Sequence, residues 1–170
     1  MNSFLDLAQK RFSARQFSDK PIEQEKIDYI LAAAKASPTA RNMQPQKIYL
    51  IKSEQGIKKS ETVSPCIYGS KYVFMLCTDG TDSHNLFNDH PYGETDIAIV
   101  CTHMMLAAKD VGIDSCWVGH LDTEKAKELF DLPENETVWC FLPIGYITND
   151  CKPADRHTIR KDISEYFKEI

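Results

Sequence analysis

Glycine is scarce in this chain, 7 in 170 residues, and no two stand close enough to make a phosphate-cradling loop. Walker, Gly-x-Gly-x-x-Gly and Gly-x-Ser-x-Gly patterns are missing, as is a His-Glu-x-x-His helix. Nucleoside triphosphatase, Rossmann, α/β-hydrolase and zinc-protease chemistry therefore lose their main support. No apolar run approaches the length of a membrane span. The opening MNSFLDLAQKRFSARQF carries Asp6 and Lys10 and has no continuous apolar core, so it does not read as a signal peptide. Positive charge is not in excess: 20 basic against 25 acidic side chains leave a formal net charge of −5, and no sequence-independent grip on nucleic acid is expected. Neither nucleic acid nor a membrane is an expected partner. The six cysteines, at 66, 77, 101, 116, 140 and 151, form no Cys-x-x-Cys pair and no zinc or iron–sulfur spacing. They read as free thiols in a reducing, cytoplasmic compartment, with Cys77, Cys101 and Cys140 as small buried hydrophobes. Of five histidines only His84 and His90 are near each other, and no metal site is expected.

What is present is ordinary globular composition, 42% apolar and 26% charged, enough for one domain over residues 1–170. Ser3 and Asp6 have the spacing of a capping pair, so a short helix opens the chain. In RFSARQF the residues Arg11, Ser13 and Arg15 alternate with Phe12, Ala14 and Gln16, and an extended chain turns the polar trio to one side. Ile22, Ile27, Ile30, Leu31 and Ala34 recur at helical spacing and stop at Ser37-Pro38. A polar loop, PTARNMQPQ, leads into an alternating strand at 47–52, a short helix at 54–60 and a continuous apolar strand at 71–78. The polar, turn-rich stretch 79–94 is the expected mobile loop. Residues 96–111 are apolar on nearly every side, which predicts a central buried helix ended by Gly112. IDSCWVG is strand-like with Trp117 expected in the core. A helix follows from Asp122 or Thr123 to Phe130, and ETVWCFLPIGYI is a last strand in which Pro143 hints at an edge or a bulge. The tail, RHTIRKDISEYFKEI, is charged and amphipathic.

Three clusters carry candidate chemistry. Arg11, Ser13 and Arg15 together suit a phosphate, which takes guanidinium forks and a hydroxyl donor at short range; a solvated basic turn has the same composition. Asn42 and Gln44 offer amides that donate and accept at once, as the edge of a flavin pyrimidine requires. A loop satisfying its own backbone fits that pair equally. In GIDSCWVGH a glycine lets a backbone N–H approach a planar ligand.

In this order the clusters make the chain similar to the nitroreductase family of flavin enzymes, from about Leu7 to Tyr166. The resemblance rests on RFSARQF, ASPTARNMQPQ, DIAIVCTHMMLAAKDVGIDSCWVG, FLPIGY and the closing RHTIRK. It implies an α+β fold in which helices surround a central mixed sheet, and an obligate homodimer with FMN in its interface. By position, Arg11 and Ser13 would hold the FMN phosphate with Arg160, and Lys161 beside it; Phe12 would be among the cofactor-binding residues, and Arg15 would sit by the pyrimidine end of the flavin. Pro38, Thr39, Asn42 and Gln44 would line the ring, and the backbone at Val118, Gly119 and His120 would reach its N5 side. The flavin carries the chemistry in such enzymes, and no side chain is an obligatory acid or base. The implied activity is NADH- or NADPH-dependent reduction of nitroaromatics, quinones or similar small acceptors by a ping-pong mechanism. A flavin-binding or flavin-modifying protein, for storage or fragmentation, is the alternative. Two departures stand out. Gln46 replaces a tryptophan common in relatives, and only the loop 79–94 stands where larger members have a helical insert over the substrate pocket.

Overall fold

The computed structural model describes residues 3–81, 84, 85 and 87–170. A four-stranded sheet forms the middle layer, in the order β1 (Gln46–Ile51), β2 (Tyr72–Thr78), β4 (Thr137–Gly145), β3 (Asp114–Ser115). All three ladders are antiparallel. This corrects the expected mixed sheet: the one parallel pairing among the described residues is an isolated bridge, Ser13 to Ser115. A continuous apolar run such as YVFMLCT reports burial on two faces, which parallel sheets usually have, and carries no information on strand direction.

Both faces of β2 are indeed covered. Phe74 and Leu76 point to a cluster formed with α2 (Gln24–Ala36) and α4 (Gly93–Asp110), which contribute Ile27, Ile30, Ile97 and Met104. Val73, Met75 and Cys77 point the other way, to Ile57 and Val63 of α3 (Glu54–Val63) and Ala126 of α5 (Thr123–Leu129). Each fully buried side chain of this size contributes about 1.5–3 kcal/mol. The α2 helix ends at Ala36, before Pro38, as its sequence predicts. Leu31, however, stays 37% exposed on the side away from the core.

The ends of α4 position the rest. Gly112, with φ +76, takes the left-handed turn that stops this helix and sends the chain into β3. The extended segment 11–17 then lies against β3 and the end of β4: Ala14 N–H donates to Ser115 O at 3.0 Å, and Phe17 bridges Ile147. Phe17 packs so closely on Gly145 that a Cβ there would sit 3.0 Å from its ring. Pro143 lies in an interior strand, yet its carbonyl faces the edge and accepts from Cys116 N–H; the sheet's irregularity falls instead between Leu76 and Cys77.

The opening helix, α1 (Phe4–Lys10), has the reciprocal Ser3–Asp6 capping box. Of the polar loop 79–94, expected to be mobile, Asp82, Ser83 and Leu86 lie outside the described residues. Its middle folds on itself through Asn85 N–H to His90 O and the His84–Asp89 pair at 2.9 Å, while its end is corrected, since Gly93 and Glu94 already form the first turn of α4. All six cysteines are free, four of them buried. Among the described residues no helix is long and apolar enough to cross a membrane, and no group of three or more candidate ligands could hold a metal ion.

Candidate functional site

The alternation in RFSARQF is realised in three dimensions. Phe12, Ala14 and Phe17 are buried together, so Arg11, Ser13 and Arg15 face the opposite way. There they meet the tail. Arg11, Phe12, Ser13, Arg15, Ala154, Arg156, His157 and Arg160 enclose a cavity of about 190 Å³. Its lining carries four guanidinium groups, an imidazole and a hydroxyl, with no carboxylate, in a chain whose net charge is −5. Guanidinium groups gathered in a small concavity are the donor set that could take an anion, since an anion would offset their mutual repulsion and accept charge-assisted hydrogen bonds from them.

The tail is fastened over this strand by His157. Its Nε2 donates to Gln9 O at the end of α1, at 3.1 Å, and its ring meets the Phe12 ring edge-on at 6.2 Å between centroids. Lys109 Nζ lies 5.5 Å from the centroid of the Phe12 ring and is tied to the buried Asp114 at 2.6 Å. Behind Ser13 sits Cys116. Burial pushes its thiol up, against the pull of the Arg15 charge and the Ser13 hydroxyl. The Cys66 thiol, followed by burial, raises Tyr68, against a hydrogen bond from Arg15.

The loop 38–44 is built differently. Arg41, Asn42 and Gln44 all have positive φ, at 53, 57 and 52°, a conformation that costs roughly 1–3 kcal/mol per non-glycine residue. Thr39 Oγ1 accepts from Gln44 N–H at 3.0 Å, and Gln44 Nε2 donates to Asn42 O at 3.3 Å. The loop's entry is tied to α4, where Asp96 Oδ1 accepts from Ala40 N–H at 2.8 Å. Asn42 and Gln44 are solvent-facing.

The structure thus brings Arg11, Phe12, Ser13, Arg15 and Arg160 into one cavity and leaves Lys161 outside its lining. Pro38, Thr39, Asn42 and Gln44 stand apart from it, at the other end of α4. Val118 N–H is already spent on Phe141 O at 2.9 Å, within a two-way bridge. Gly119 and His120 are exposed, and a Cβ on Gly119 would meet nothing within 4 Å, so a flat ligand has open access to this backbone. Trp117 is 47% exposed rather than in the core, because Cys116 and Val118 on either side point inward and strand alternation turns it out. Arg156 and His157 are cavity residues that spacing did not reveal. The charge of RHTIRK was visible, but which of its side chains face Arg11 depends on the tail's turn at Asp155–Thr158.

A family profile described as the nitroreductase family matches residues 8–65 and 64–146. A nitroreductase family protein of known structure from Clostridium difficile 630 is 32% identical, superposes with a TM-score of 0.91, and the match covers 99% of this chain and 98% of that one. Fold and match together define an α+β oxidoreductase-type protein, and the chain belongs to the nitroreductase family. A Staphylococcus haemolyticus protein named NADPH-dependent oxidoreductase is 29% identical over 208 aligned positions, covering 96% of this chain and 82% of its own length. A structure described as an FMN-dependent nitroreductase from Clostridium difficile R20291 shares the fold at a TM-score of 0.74 and 20% identity, covering 93% and 98%.

Proposed function

We propose that this protein is an FMN-dependent oxidoreductase that takes reducing equivalents from NADH or NADPH and passes them to small acceptors such as nitroaromatics or quinones. The observation that carries this reading is the cavity of four arginines, His157 and Ser13 in an otherwise acidic chain. It fits a phosphate monoester: Arg11, Arg156 and Arg160 supply charge-assisted donors and Ser13 a hydroxyl. The volume of about 190 Å³ leaves room for a phosphate group. FMN, when bound, supplies the two-electron redox chemistry. The chain's own contribution is to bind and orient: Arg15, at the cavity's outer edge, offers a cation to the pyrimidine end of the ring, where reduction places negative charge. Two names support the donor and the cofactor, the NADPH-dependent relative of S. haemolyticus and the FMN-dependent neighbour of C. difficile.

The working form is a homodimer. Asp96, which holds the ring-lining loop, and Lys109, beside the arginine cavity, are thirteen residues apart on α4, roughly 20 Å at 1.5 Å per residue. One ribityl chain does not span that distance, so a flavin touching both features draws the loop from a second copy. The tail agrees with this: Ile159, Ile163, Tyr166, Phe167 and Ile170 are all more than half exposed, an apolar series that a partner would cover.

The test is anaerobic. Purified protein should be yellow and dimeric by light scattering, and NADH or NADPH should bleach it. Steady-state turnover should give parallel double-reciprocal lines, as expected when two substrates occupy one site in turn. A monomer with full FMN affinity removes the interface arrangement; a flavin that neither nicotinamide bleaches removes the reductase assignment.

A further inference from the structure

Two buried side-chain oxygens among the described residues have no hydrogen-bond partner, Gln46 Oε1 and Asp96 Oδ2, and they flank one loop. Asp96 contacts its entry at Ala40, and Gln46 follows its exit at Pro45. Asp96 is 1% exposed, so its one described hydrogen bond has not been diluted by water and acts in a low-dielectric setting. That bond reaches the residue immediately before Arg41 and Asn42, the first two of the loop's three non-glycine residues held at positive φ. A chain left to itself abandons such a conformation, and it persists where surrounding structure over-determines it. Hydrogen bonds within the loop do so here, from Gln44 N–H to Thr39 Oγ1, Asn42 N–H to Thr39 O and Met43 N–H to Ala40 O, and so does the Asp96 carboxylate, which ties the loop to the first turn of α4.

We propose that Asp96 is a positioning residue for flavin recognition: through its hydrogen bond to Ala40 N–H it holds the loop 39–44 in the strained form that presents Asn42 and Gln44 to the ring. The inference rests on the flavin reading above. Asp96 sits in the first turn of α4, where the helix dipole favours its charge, and it works from behind the loop without touching the ligand. Its influence falls on the ring and not on the phosphate, which the arginines at the other end of α4 grip independently.

The experiment titrates apo-protein with FMN and, separately, with riboflavin. Asp96→Ala removes the acceptor and should weaken both ligands by the same factor, about tenfold to a hundredfold, the range for losing a buried hydrogen bond to a charged group. The bound flavin's visible band and circular dichroism should shift towards those of free flavin. Asp96→Asn keeps an oxygen for Ala40 N–H and should retain affinity within about threefold of the original. Ala40→Pro deletes the donor and leaves Asp96 in place. Proline is tolerated at the first position of such a turn, and Thr39, at φ −132° and ψ 157°, is already extended as a residue before proline must be. This variant should repeat the Asp96→Ala phenotype, and it supplies the measurement if Asp96→Ala fails to fold. Loss of thermal stability with both flavin affinities unchanged would reduce Asp96 to a structural role and overturn the proposal, as would an Asp96→Asn protein as weak as Asp96→Ala. An original protein that binds neither ligand overturns the flavin reading itself.

Discussion

The two ends of α4 each bury an aspartate, and the two are held in different ways. At the C-terminal end Asp114, in β3 just beyond the helix, is locked to Lys109 at 2.6 Å, and the extended segment carrying Arg11, Ser13 and Arg15 is joined to β3 by the Ser13–Ser115 bridge. At the N-terminal end Asp96 has one neutral donor and one unpartnered oxygen, and it supports a loop in a strained conformation. Charge gripping charge needs only a rigid platform. Contact with a flat ring edge needs amides aimed from an irregular backbone, and that backbone has to be held against its own preference. On the proposed reading, the end assigned to the phosphate is built to be rigid, and the end assigned to the ring to be tuned.

The comparison breaks first at the ion pair. Lys109→Ala strands a buried Asp114 carboxylate and should destabilise the fold by about 3 kcal/mol, the scale for removing one partner of a buried pair. Urea unfolding measures it, and a loss below about 1 kcal/mol would equate this pair with an exposed one. Next, Arg11→Ala should weaken FMN by about 2–4 kcal/mol and leave riboflavin unchanged, since deleting a charged partner of the phosphate does not reach the ring. Arg160→Ala should follow it. Equal losses for both ligands would move Arg11 from the phosphate to the ring. Arg15→Ala should act more on the reduction potential of the bound flavin, lowering it, than on affinity; spectroelectrochemistry decides, and an unchanged potential leaves Arg15 outside the ring's field.

A third buried acid, bonded to Tyr49 on the face of the sheet that α3 and α5 cover, serves as a control. Glu136 is 5% exposed, and the Tyr49 hydroxyl lies 2.8 Å from each of its oxygens. Burial first, then this hydrogen bond, pushes Tyr49 up to about 12. The unfolded chain gives up that proton at its ordinary value near 10, so stability is fully present below about pH 10 and falls between there and 12. Tyr49→Phe should flatten this alkaline slope in urea unfolding and leave flavin affinity alone. The smallest effect belongs to Arg41→Gly, which relieves one left-handed residue and should stabilise the apo-protein by at most about 1 kcal/mol. A destabilised variant would mean that the Arg41 side chain supports the loop.

Much of this arrangement is legible in the chain by its local physics. Period-2 alternation placed Arg11, Ser13 and Arg15 on one side, because side chains of any extended segment alternate and Phe12 and Ala14 are apolar enough to choose the inner face. Apolar spacing and the stop at Pro38 gave the helix found at 24–36, and the apolar run 96–111 with its stop at Gly112 gave most of the helix found at 93–110; the helices expected at 54–60 and from Asp122 or Thr123 to Phe130 are found at 54–63 and 123–129. Strand direction was not legible, nor were the exposure of Trp117 and the recruitment of Arg156 and His157 into the cavity. Those depend on which segments meet, and chain separated by more than a hundred residues leaves no local trace of the meeting. The left-handed loop 41–44 contains no glycine to announce it. Sequence alone determined the elements, the polar face of the N-terminal strand and the family pattern, because these are properties of neighbouring residues. Tertiary structure decided that four arginines share one cavity, that Asp96 underpins the loop, and that the two halves of the candidate site lie at opposite ends of one helix, because each is a contact between distant parts of the chain.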